Sequence, residues 1–519
     1  MRRAALLLFL LALYLPALGN SSSGSHPDEA WYLGISAEMH AKDAWLTPSL
    51  DDVLNWNKPP LLYWAERAAY AVLGTSLFAA RLPSALAWIA LAMLIHALGR
   101  RMYGENAGMA AALLTATAFG WVKYARLAMM DAPMALGLAL AAYGTWRASE
   151  EDDPPWLLAV GAAAAMDFLL KGPVGAVLVL ILSGGFLLVR NRPLLFSRWT
   201  AGAFLLGAVL GLPWYVASFA VHGQVFYDFF FVAENFDRFM HPWTVKAEAT
   251  LLVGFLVFML PWTFLFLGSL RALRTWREPG VLLPLAWVAS VLVTFTIPSL
   301  KWPHYGLTAI PAALLLAVRV PPPRWARAAT GFTLALLAAA AVLVLRWPLP
   351  WITVLALASA ALAFAVSSVL AFGGRLAPSA AAAGAAFALV VGLIVPRVNP
   401  PALPPEAVPS TGGRALWVSG MAPGLFTLAA GRPVRRAWTE AEAESALAAG
   451  DAYIASESQV GRLSPTVRKR LVILAGWRRI PGYLPVARVW RSWRDRDPGE
   501  VYESMSIVAL PPASGVPLR

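Results

Sequence analysis

Residues 78–99, FAARLPSALAWIALAMLIHALG, form a mostly apolar run that is followed at once by Arg100 and Arg101. A helix of this length crosses the ~30 Å hydrocarbon core of a bilayer. Arginines concentrated directly after such a run mark the cytoplasmic end of a membrane helix. This stretch therefore predicts a transmembrane helix together with its orientation, and the rest of the chain repeats the pattern.

Similar apolar runs recur as far as residue 396. Of the 519 residues, 59% are hydrophobic and only 14% are charged, proportions that suit lipid better than water. We predict about 13 crossings, the first being a retained helix rather than a cleaved signal peptide. The predicted spans are 4–19, 78–99, 107–123, 130–147, 156–170, 173–190, 200–220, 249–269, 281–298, 303–319, 328–345, 351–371 and 379–396.

The arginines between the apolar runs are distributed as the predicted topology requires. With the N-terminus in the cytoplasm, the predicted inner loops hold Arg100, Arg101, Arg147, Arg190, Arg192, Arg198, Arg271, Arg274, Arg277, Arg319, Arg324, Arg327 and Arg375. The net charge of +13 is explained first by this topology, and no nucleic-acid partner is predicted. The second explanation of the charge is an anionic lipid or a phosphate-bearing substrate. The absence of cysteine excludes disulfides, iron–sulfur clusters and thiol catalysis.

The composition changes beyond Asn399. We predict a transmembrane domain over 1–398 and a small soluble α/β domain over 399–519, entered through a proline-rich linker. Short apolar strands are expected at 415–418 and 452–455, with a helix near 439–449 between them. An odd number of crossings places this domain outside the cytoplasm.

The first outer loop, about 20–76, is too long for a simple connection. It contains His26-Pro27-Asp28-Glu29, and the following residues predict a helix with Trp31, Ile35 and Met39 on one face, lying flat on the membrane surface. Asp28 would stand at the start of this helix. It is either a functional carboxylate or only the helix cap.

The same loop ends in Asn57-Lys58-Pro59-Pro60. The two prolines fix the backbone after Lys58, whose ammonium group is suited to a lipid phosphate at the membrane surface. The alternative is an interfacial lysine that reaches toward water without binding anything.

Further polar residues fall on the same predicted side. Asp131 begins an apolar helix, and an ionisable group at membrane depth is usually functional, although an interfacial helix cap is the alternative. A second large outer loop, about 221–248, contains Arg238, which suggests either a bound anion or a carboxylate partner. Lys301, His304 and Tyr305 lie at the outer end of another span. Lys171-Gly172-Pro173 is read as a plain turn.

Together these segments resemble the GT-C membrane glycosyltransferases, and most of all the bacterial aminoarabinose lipid A transferases and their relatives among the protein mannosyltransferases. The likeness covers about residues 25–320. It is carried by 26–64, 125–134, 234–241 and 301–305, whereas the C-terminal domain matches only by position.

The resemblance implies an inverting transfer of a sugar from an undecaprenyl-phosphate donor to a lipid or glycan acceptor at the periplasmic side of the bacterial inner membrane. Lipid A or lipopolysaccharide is the expected acceptor. Asp28 matches the general base and Asp131 the second outer carboxylate. Lys58, Arg238 and Tyr305 match contacts to the donor phosphate. The remaining pocket candidates are Glu29, Asn57, Lys301 and His304.

One position departs from the aminoarabinose transferases, which commonly have Glu where this chain has Asn57. Loss of that acid puts a cationic aminosugar donor, and a metal at this position, in doubt. No metal ligands and no cofactor are assigned, and a divalent metal stays open. A protein O-mannosyltransferase-like enzyme and a lipid or solute transporter are the alternatives, but a transporter should show internal repeats and mid-membrane polar sites.

Overall fold

The computed structural model describes residues 2–20, 26–237, 249–297, 302–399, 401–419, 423–479, 486–495 and 501–511. Over these ranges the chain is mostly helical as far as Val398, and a mixed sheet with short helices follows. The predicted fold class, a polytopic helical membrane protein with a small C-terminal α/β part, is thus confirmed.

The helical part consists of long helices interrupted by short ones. Segments of 3-10 or π geometry occupy Pro154–Trp156, Tyr227–Asp237, Leu270–Thr275, Pro303–Ala309 and Val390–Ile394. The α-helices are α1 (Arg2–Tyr14), α2 (Pro27–Ala41), α3 (Leu61–Leu73), α4 (Leu77–Tyr103), α5 (Glu105–Ala116), α6 (Phe119–Tyr124), α7 (Asp131–Glu150), α8 (Leu157–Lys171), α9 (Pro173–Arg190), α10 (Arg192–Leu195), α11 (Arg198–Gly211), α12 (Pro213–Phe226), α13 (Ala249–Phe258), α14 (Thr263–Ser269), α15 (Pro279–Thr296), α16 (Ile310–Arg319), α17 (Arg324–Val344), α18 (Trp351–Phe372), α19 (Leu376–Leu389) and α20 (Val395–Val398).

Seven of the described helices are long and apolar enough to cross a bilayer, or eight if one bent pair counts as a span. One of them, Pro213–Asp237, runs through the first part of the outer loop predicted at 221–248. The predicted outer loop thus contains helix as far as Asp237, with a break in the helix at Gly223, and its side of the membrane stays a prediction. The reason for the helix is packing, because the buried rings of Phe226 and Phe230 stack on each other and contact Trp214.

Other predicted spans are shorter or broken. The predicted span 107–123 is divided between α5 and α6, and the predicted span 249–269 bends by 107° between Thr250–Phe258 and Thr263–Thr275. Pro213 begins α12 and Pro261 lies in the bend, since proline cannot supply the N–H that continues a helix. The count of about 13 crossings therefore stays a prediction.

The helix α2 is covered on both faces. Its Ile35 and Met39 pack in the core of the membrane helices, whereas Leu33 and Ala37 pack with residues of the C-terminal part. The prediction of a helix lying flat on the membrane surface is therefore wrong. A sequence pattern shows one apolar face, and it does not show that a distant part of the chain covers the other.

The C-terminal part is built on a five-stranded sheet. After β1 (Ser49–Leu50) and β2 (Val53–Leu54) of the first loop, its strands are β3 (Leu416–Ser419), β4 (Val434–Ala437), β5 (Ala452–Ser456), β6 (Val472–Arg479) and β7 (Glu503–Ala509), in the order β4-β3-β5-β7-β6. The strands β3, β4 and β5 are parallel to one another, and β7 is antiparallel to β5 and β6. Its helices are α21 (Gly424–Ala430), α22 (Glu440–Ala448), α23 (Glu457–Val460), α24 (Pro465–Arg468) and α25 (Val486–Asp495).

The strands predicted at 415–418 and 452–455 and the helix predicted at 439–449 are confirmed to within a residue. Thr439 caps α22 by accepting a hydrogen bond from the Glu442 N–H. This part of the chain was predictable because alternating apolar residues and a helix cap are local signals.

The helices α2 and α21 pack closely against each other at Gly34 and Gly424. A Cβ atom on Gly424 would lie 2.2 Å from the Gly34 nitrogen and 2.4 Å from the Ala30 carbonyl oxygen. We expect Gly424→Ala to lower the free energy of unfolding by about 1–3 kcal/mol, because backbone atoms must move apart. Thermal unfolding of the detergent-solubilised protein measures this change. Gly461→Ala is the control, since the nearest atoms to its added Cβ lie at 3.4 Å, and equal midpoints for the two variants would contradict the close contact.

Candidate active site

Asp28 lies in the first turn of α2 and does not cap it. The cap is His26, whose Nδ1 accepts the Asp28 N–H at 3.2 Å. Pro27 follows at the first helical position, where its missing N–H costs nothing. The alternative of Asp28 as helix cap is therefore wrong, and its carboxylate, 33% exposed, remains available to a ligand.

Glu29 is turned away from Asp28 and is fully buried. Its carboxylate accepts hydrogen bonds from Arg81 Nε at 2.7 Å and Nη2 at 3.0 Å, and from the Ala128 N–H at 2.9 Å. These contacts tie the start of α2 to α4 and to the segment before α7. Glu29, predicted as a pocket residue, thus has the contacts of a positioning residue that holds Asp28 in place.

Two histidines flank the Asp28 carboxylate. Asp28 Oδ2 lies 3.7 Å from His26 Nδ1 and 3.8 Å from His304 Nε2, and the two imidazole rings meet edge to face at 4.7 Å. The ring of Tyr124 stacks on His304 at 5.6 Å. Burial lowers the pKa of His26, while the charges of Asp28 and Asp131 act in the opposite direction. His304, predicted as a pocket residue, thus contacts the predicted base although the two are far apart in the sequence.

Asp131 begins α7 with only 4% of its surface exposed. Its Oδ1 atom has no hydrogen-bond partner among the residues that the structure describes. A buried carboxylate oxygen of this kind is costly unless a ligand or another group satisfies it. The interfacial helix cap is wrong for this residue, because the position before the helix is held by Met130 and the carboxylate is buried.

Lys171, read from the sequence as part of a plain turn, belongs to this site. Its Nζ lies 4.2 Å from the ring centre of Tyr305 and 4.9 Å from that of Phe295. Its charge also interacts with those of Asp28, Asp131 and Asp167. One signal could have suggested it, since Lys171 is a cation between two apolar helices, α8 and α9, on the same predicted side as Asp28.

The Lys58 loop lies beside the Lys171 turn. Lys58 Nζ donates hydrogen bonds to Asn57 Oδ1 at 2.7 Å and to the Asn57 carbonyl at 2.8 Å. The neighbouring Trp56 is fully buried and packs in one cluster with Leu169 and Phe230. Phe230 also lies 3.1 Å from where a Cβ on Gly172 would be. This places Lys58 at the same end of the helices as Lys171.

Arg238 and Lys301 lie outside the described residues.

The arginine-rich end of the helices is opposite to this site. Arg81 near the start of α4 pairs with Glu29, whereas Arg101 near its end pairs with Glu151. Twenty positions along an α-helix correspond to about 30 Å. Arg147 and Arg190 pair with Asp153 and Glu150 at that second end. The carboxylates, cations and tyrosine of the site thus gather at one end, and Arg101, Arg147 and Arg190 gather at the other.

This arrangement defines a class of protein, the GT-C membrane fold with a polar site at one end of its helices. The crystal structure of ArnT from Cupriavidus metallidurans bound to undecaprenyl phosphate is similar over 99% of both chains, with a TM-score of 0.72 at 20% identity. The family profile of dolichyl-phosphate-mannose-protein mannosyltransferases matches residues 57–216. The resemblance predicted from the sequence is confirmed.

Similar sequences include two curated arabinosyl transferases that are named for undecaprenyl phosphate-α-4-amino-4-deoxy-L-arabinose. The one from Pseudomonas fluorescens (strain Pf0-1) is 30% identical over 330 residues, 60% of this chain and 57% of that protein. The one from Edwardsiella ictaluri (strain 93-146) is 27% identical over 304 residues, 56% of this chain and 54% of that protein. The chain therefore spans less than two thirds of the length of these relatives.

Proposed function

We propose that this protein is an inverting glycosyltransferase of the bacterial inner membrane, which moves a sugar from an undecaprenyl-phosphate donor to an envelope acceptor at the periplasmic face. The observation that carries the proposal is the gathering of Asp28, Asp131, Lys171 and Tyr305 at one end of the membrane helices. The names of the similar proteins supply the donor lipid, and lipid A as acceptor is what the sequence resemblance implies.

The proposed reaction is a single displacement at the anomeric carbon. The acceptor oxygen attacks this carbon while Asp28 takes the hydroxyl proton, and the bond from the carbon to the phosphate oxygen breaks. The configuration at the anomeric carbon is inverted because the acceptor attacks from the face opposite to the phosphate. Undecaprenyl phosphate leaves with the electron pair and one more negative charge.

Cations stabilise the phosphate charge that develops during this step. Lys171 is held over the ring of Tyr305, and both can face the leaving phosphate, with Lys58 supplying a further cation from the adjacent loop. Such fixed groups are most effective where water is excluded, because they need no reorganisation. Asp131, with its unpartnered buried oxygen, is suited to orient a hydroxyl of the sugar or acceptor.

Asn57 partly determines which donor sugar the pocket accepts. Its side-chain oxygen accepts the Lys58 ammonium group, and an amide carries no negative charge to attract an aminosugar. A neutral sugar is therefore compatible with this pocket as well as the aminoarabinose of the similar proteins. The mannosyltransferase profile over 57–216 favours a second candidate, transfer to a protein hydroxyl.

The proposal is tested with the purified full chain in lipid nanodiscs. Undecaprenyl-phosphate donors with radiolabelled aminoarabinose, mannose or galactose are each offered with lipid A or with envelope proteins. Transfer of label to lipid A is the expected result, and transfer to protein would support the second candidate. Absence of transfer from every donor, together with an unchanged envelope mass spectrum when the gene is deleted, would reject the enzyme.

Loss of the Lys58 ammonium group is expected to weaken donor binding. Lys58→Ala should raise the donor KM by about tenfold with a smaller effect on kcat, since a charged hydrogen bond to phosphate contributes about 1.5–3 kcal/mol. Steady-state transfer at varied donor concentration measures both constants. Lys42→Ala, which removes a lysine paired with Glu38 and Asp52 in the same loop, is the matched control. An unchanged KM for Lys58→Ala would remove this residue from the phosphate site.

A further inference from the structure

We propose that a cavity at the arginine-rich end of the helices binds the headgroup of one anionic phospholipid. The cavity has a volume of about 730 Å³ and lies between α1, α5 and α19. The described residues that line it include Arg2, Asn106 and Arg375 and no acidic side chain. Basic pockets between membrane helices are typical binding sites for anionic lipid headgroups.

The cavity is remote from the proposed active site. It is lined by the start of α5, which follows the end of α4 where Arg101 pairs with Glu151. The other end of α4 carries Arg81, which pairs with Glu29 beside the proposed base. A lipid in this cavity would therefore take no part in the proposed sugar transfer, and its binding is a separate property of the chain.

The rim of the cavity carries positive charge. Arg2 Nη1 donates a hydrogen bond to Asn106 Oδ1 at 3.2 Å, which holds this guanidinium group at the rim. Arg375 precedes α19 and is exposed. Gly374 also lines the cavity, and Arg327 Nη1 lies 3.0 Å from the position of a Cβ on Gly374. Three guanidinium groups thus lie at or beside the rim, and such groups bind phosphate oxygens through two parallel hydrogen bonds.

The nearest acid in the sequence leaves the rim positive. Glu105 precedes Asn106, and its carboxylate lies 3.8 Å from Arg100 Nε and 3.5 Å from His96 Nε2. Arg100 therefore balances the charge of Glu105. The helices α1, α5 and α19 all begin at this end, and the partial positive charges of their first turns add to the charge of the arginines.

The walls below the rim are apolar. Phe9 of α1 and Leu113 of α5 line the cavity opposite the first turns of α19. The ring of Phe9 also fills the space that a Cβ on Gly384 would need, so α1 and α19 are in contact at that depth and separate toward the rim. A charged rim above apolar walls matches a phospholipid, whose phosphate lies at the membrane surface and whose acyl chains extend into the bilayer.

The charge of the rim favours phosphatidylglycerol over phosphatidylethanolamine. Phosphatidylglycerol carries a net negative charge, whereas the ammonium group of phosphatidylethanolamine would be repelled by the arginines. A free phosphate ester has no acyl chain to cover the apolar walls. Because a bound lipid would contact both α1 and α19, we expect it to stabilise the packing of α1 against the other helices.

Two kinds of variant separate the charge of the rim from the shape of the cavity. Arg2→Gln combined with Arg375→Gln removes two charges from the rim. Ala381→Phe fills part of the cavity and changes no charge. Arg192→Gln is the matched control, since Arg192 is an exposed arginine at the same end of the helices, donates a hydrogen bond to the Leu188 carbonyl and does not line the cavity.

The test measures lipid binding by the full chain without donor or acceptor. The protein is purified in detergent until it is free of phospholipid, and dioleoyl-phosphatidylglycerol or dioleoyl-phosphatidylethanolamine is added over a range of concentrations. Native mass spectrometry counts the lipids bound to each chain, and the thermal unfolding midpoint is followed in parallel. A third series with sn-glycerol 3-phosphate offers the phosphate ester without acyl chains.

We expect about one phosphatidylglycerol per wild-type chain, bound about fivefold or more tightly than phosphatidylethanolamine and raising the unfolding midpoint. Binding should be about tenfold weaker in the double arginine variant and in Ala381→Phe, and unchanged in Arg192→Gln. Lipid-free midpoints equal to wild type show that the variants keep the fold.

Equal affinity of the wild type for the two lipids would overturn the proposal. An equal loss of binding in Arg192→Gln and in the double arginine variant would also overturn it, because the arginines would then act only as surface charge. Stabilisation by glycerol 3-phosphate equal to that by phosphatidylglycerol would replace the lipid with a free phosphate ester. None of these results depends on the transferase proposal, since neither of its substrates is present.

Discussion

Asp28→Asn is expected to reduce sugar transfer by about 10³-fold while the protein keeps its fold. General base catalysis contributes about 10²–10⁴-fold, and Asn has nearly the shape of Asp without its basicity. The helix start should survive, because His26 caps α2 and Glu29 anchors it through Arg81. Initial rates at saturating donor and acceptor, normalised to monodisperse protein, measure the effect.

The matched control is Asp43→Asn. Asp43 lies after α2, is 89% exposed and has a φ of 50°, a backbone conformation that Asn adopts readily. Transfer within a factor of two of wild type is expected for this control. If Asp28→Asn also keeps near-normal turnover, Asp28 is not the base.

Lys171→Met is expected to lower kcat/KM by about 10²-fold. The ammonium group of Lys171 lies over the rings of Tyr305 and Phe295, and its removal takes away a fixed charge near the proposed leaving phosphate. Methionine has a similar length and can pack against both rings, so the turn at Gly172 should be retained. Steady-state transfer with the donor varied gives the constants.

Lys42→Met provides the same chemical change at an exposed position. Its lysine pairs with Glu38 and Asp52 away from the Asp28 carboxylate, and wild-type kinetics are expected. If the kcat/KM of Lys171→Met is no lower than that of this control, Lys171 does not stabilise the leaving phosphate. Its charge then serves only to balance the buried carboxylates. A loss of folded protein in Lys171→Met alone would instead assign the lysine to stability through Asp131 and Asp167.

Much of the site was predictable from local sequence. Asp28, Lys58 and Tyr305 were predicted because each carries a polar group next to a helix boundary on the outer side of an apolar run. The resemblance then assigned them roles that the present structure leaves as proposals. What local patterns could not supply was the set of partners, because those lie on other helices.

The helix found within the predicted outer loop, as far as Asp237, has the same origin. A run with many aromatic residues and several polar ones reads as a loop, and it is helical because Phe226 and Phe230 find Trp214 and Tyr215 to pack against. Lys171 was likewise read as part of a turn. Its place beside Tyr305 depends on how α8 meets the 3-10 segment Pro303–Ala309.

Amino-acid order alone indicated that this chain enters a membrane, predicted which side its arginines take, and located the starts of α2, β3 and β5. Those properties follow from hydrophobicity, charge and caps, which act over a few residues. Only the tertiary structure showed that His304 lies beside Asp28 and that Glu29 forms a salt bridge with Arg81. It also showed that Gly424 packs closely against α2. Contacts between residues so distant in sequence depend on the packing of whole helices, and no short-range pattern records them.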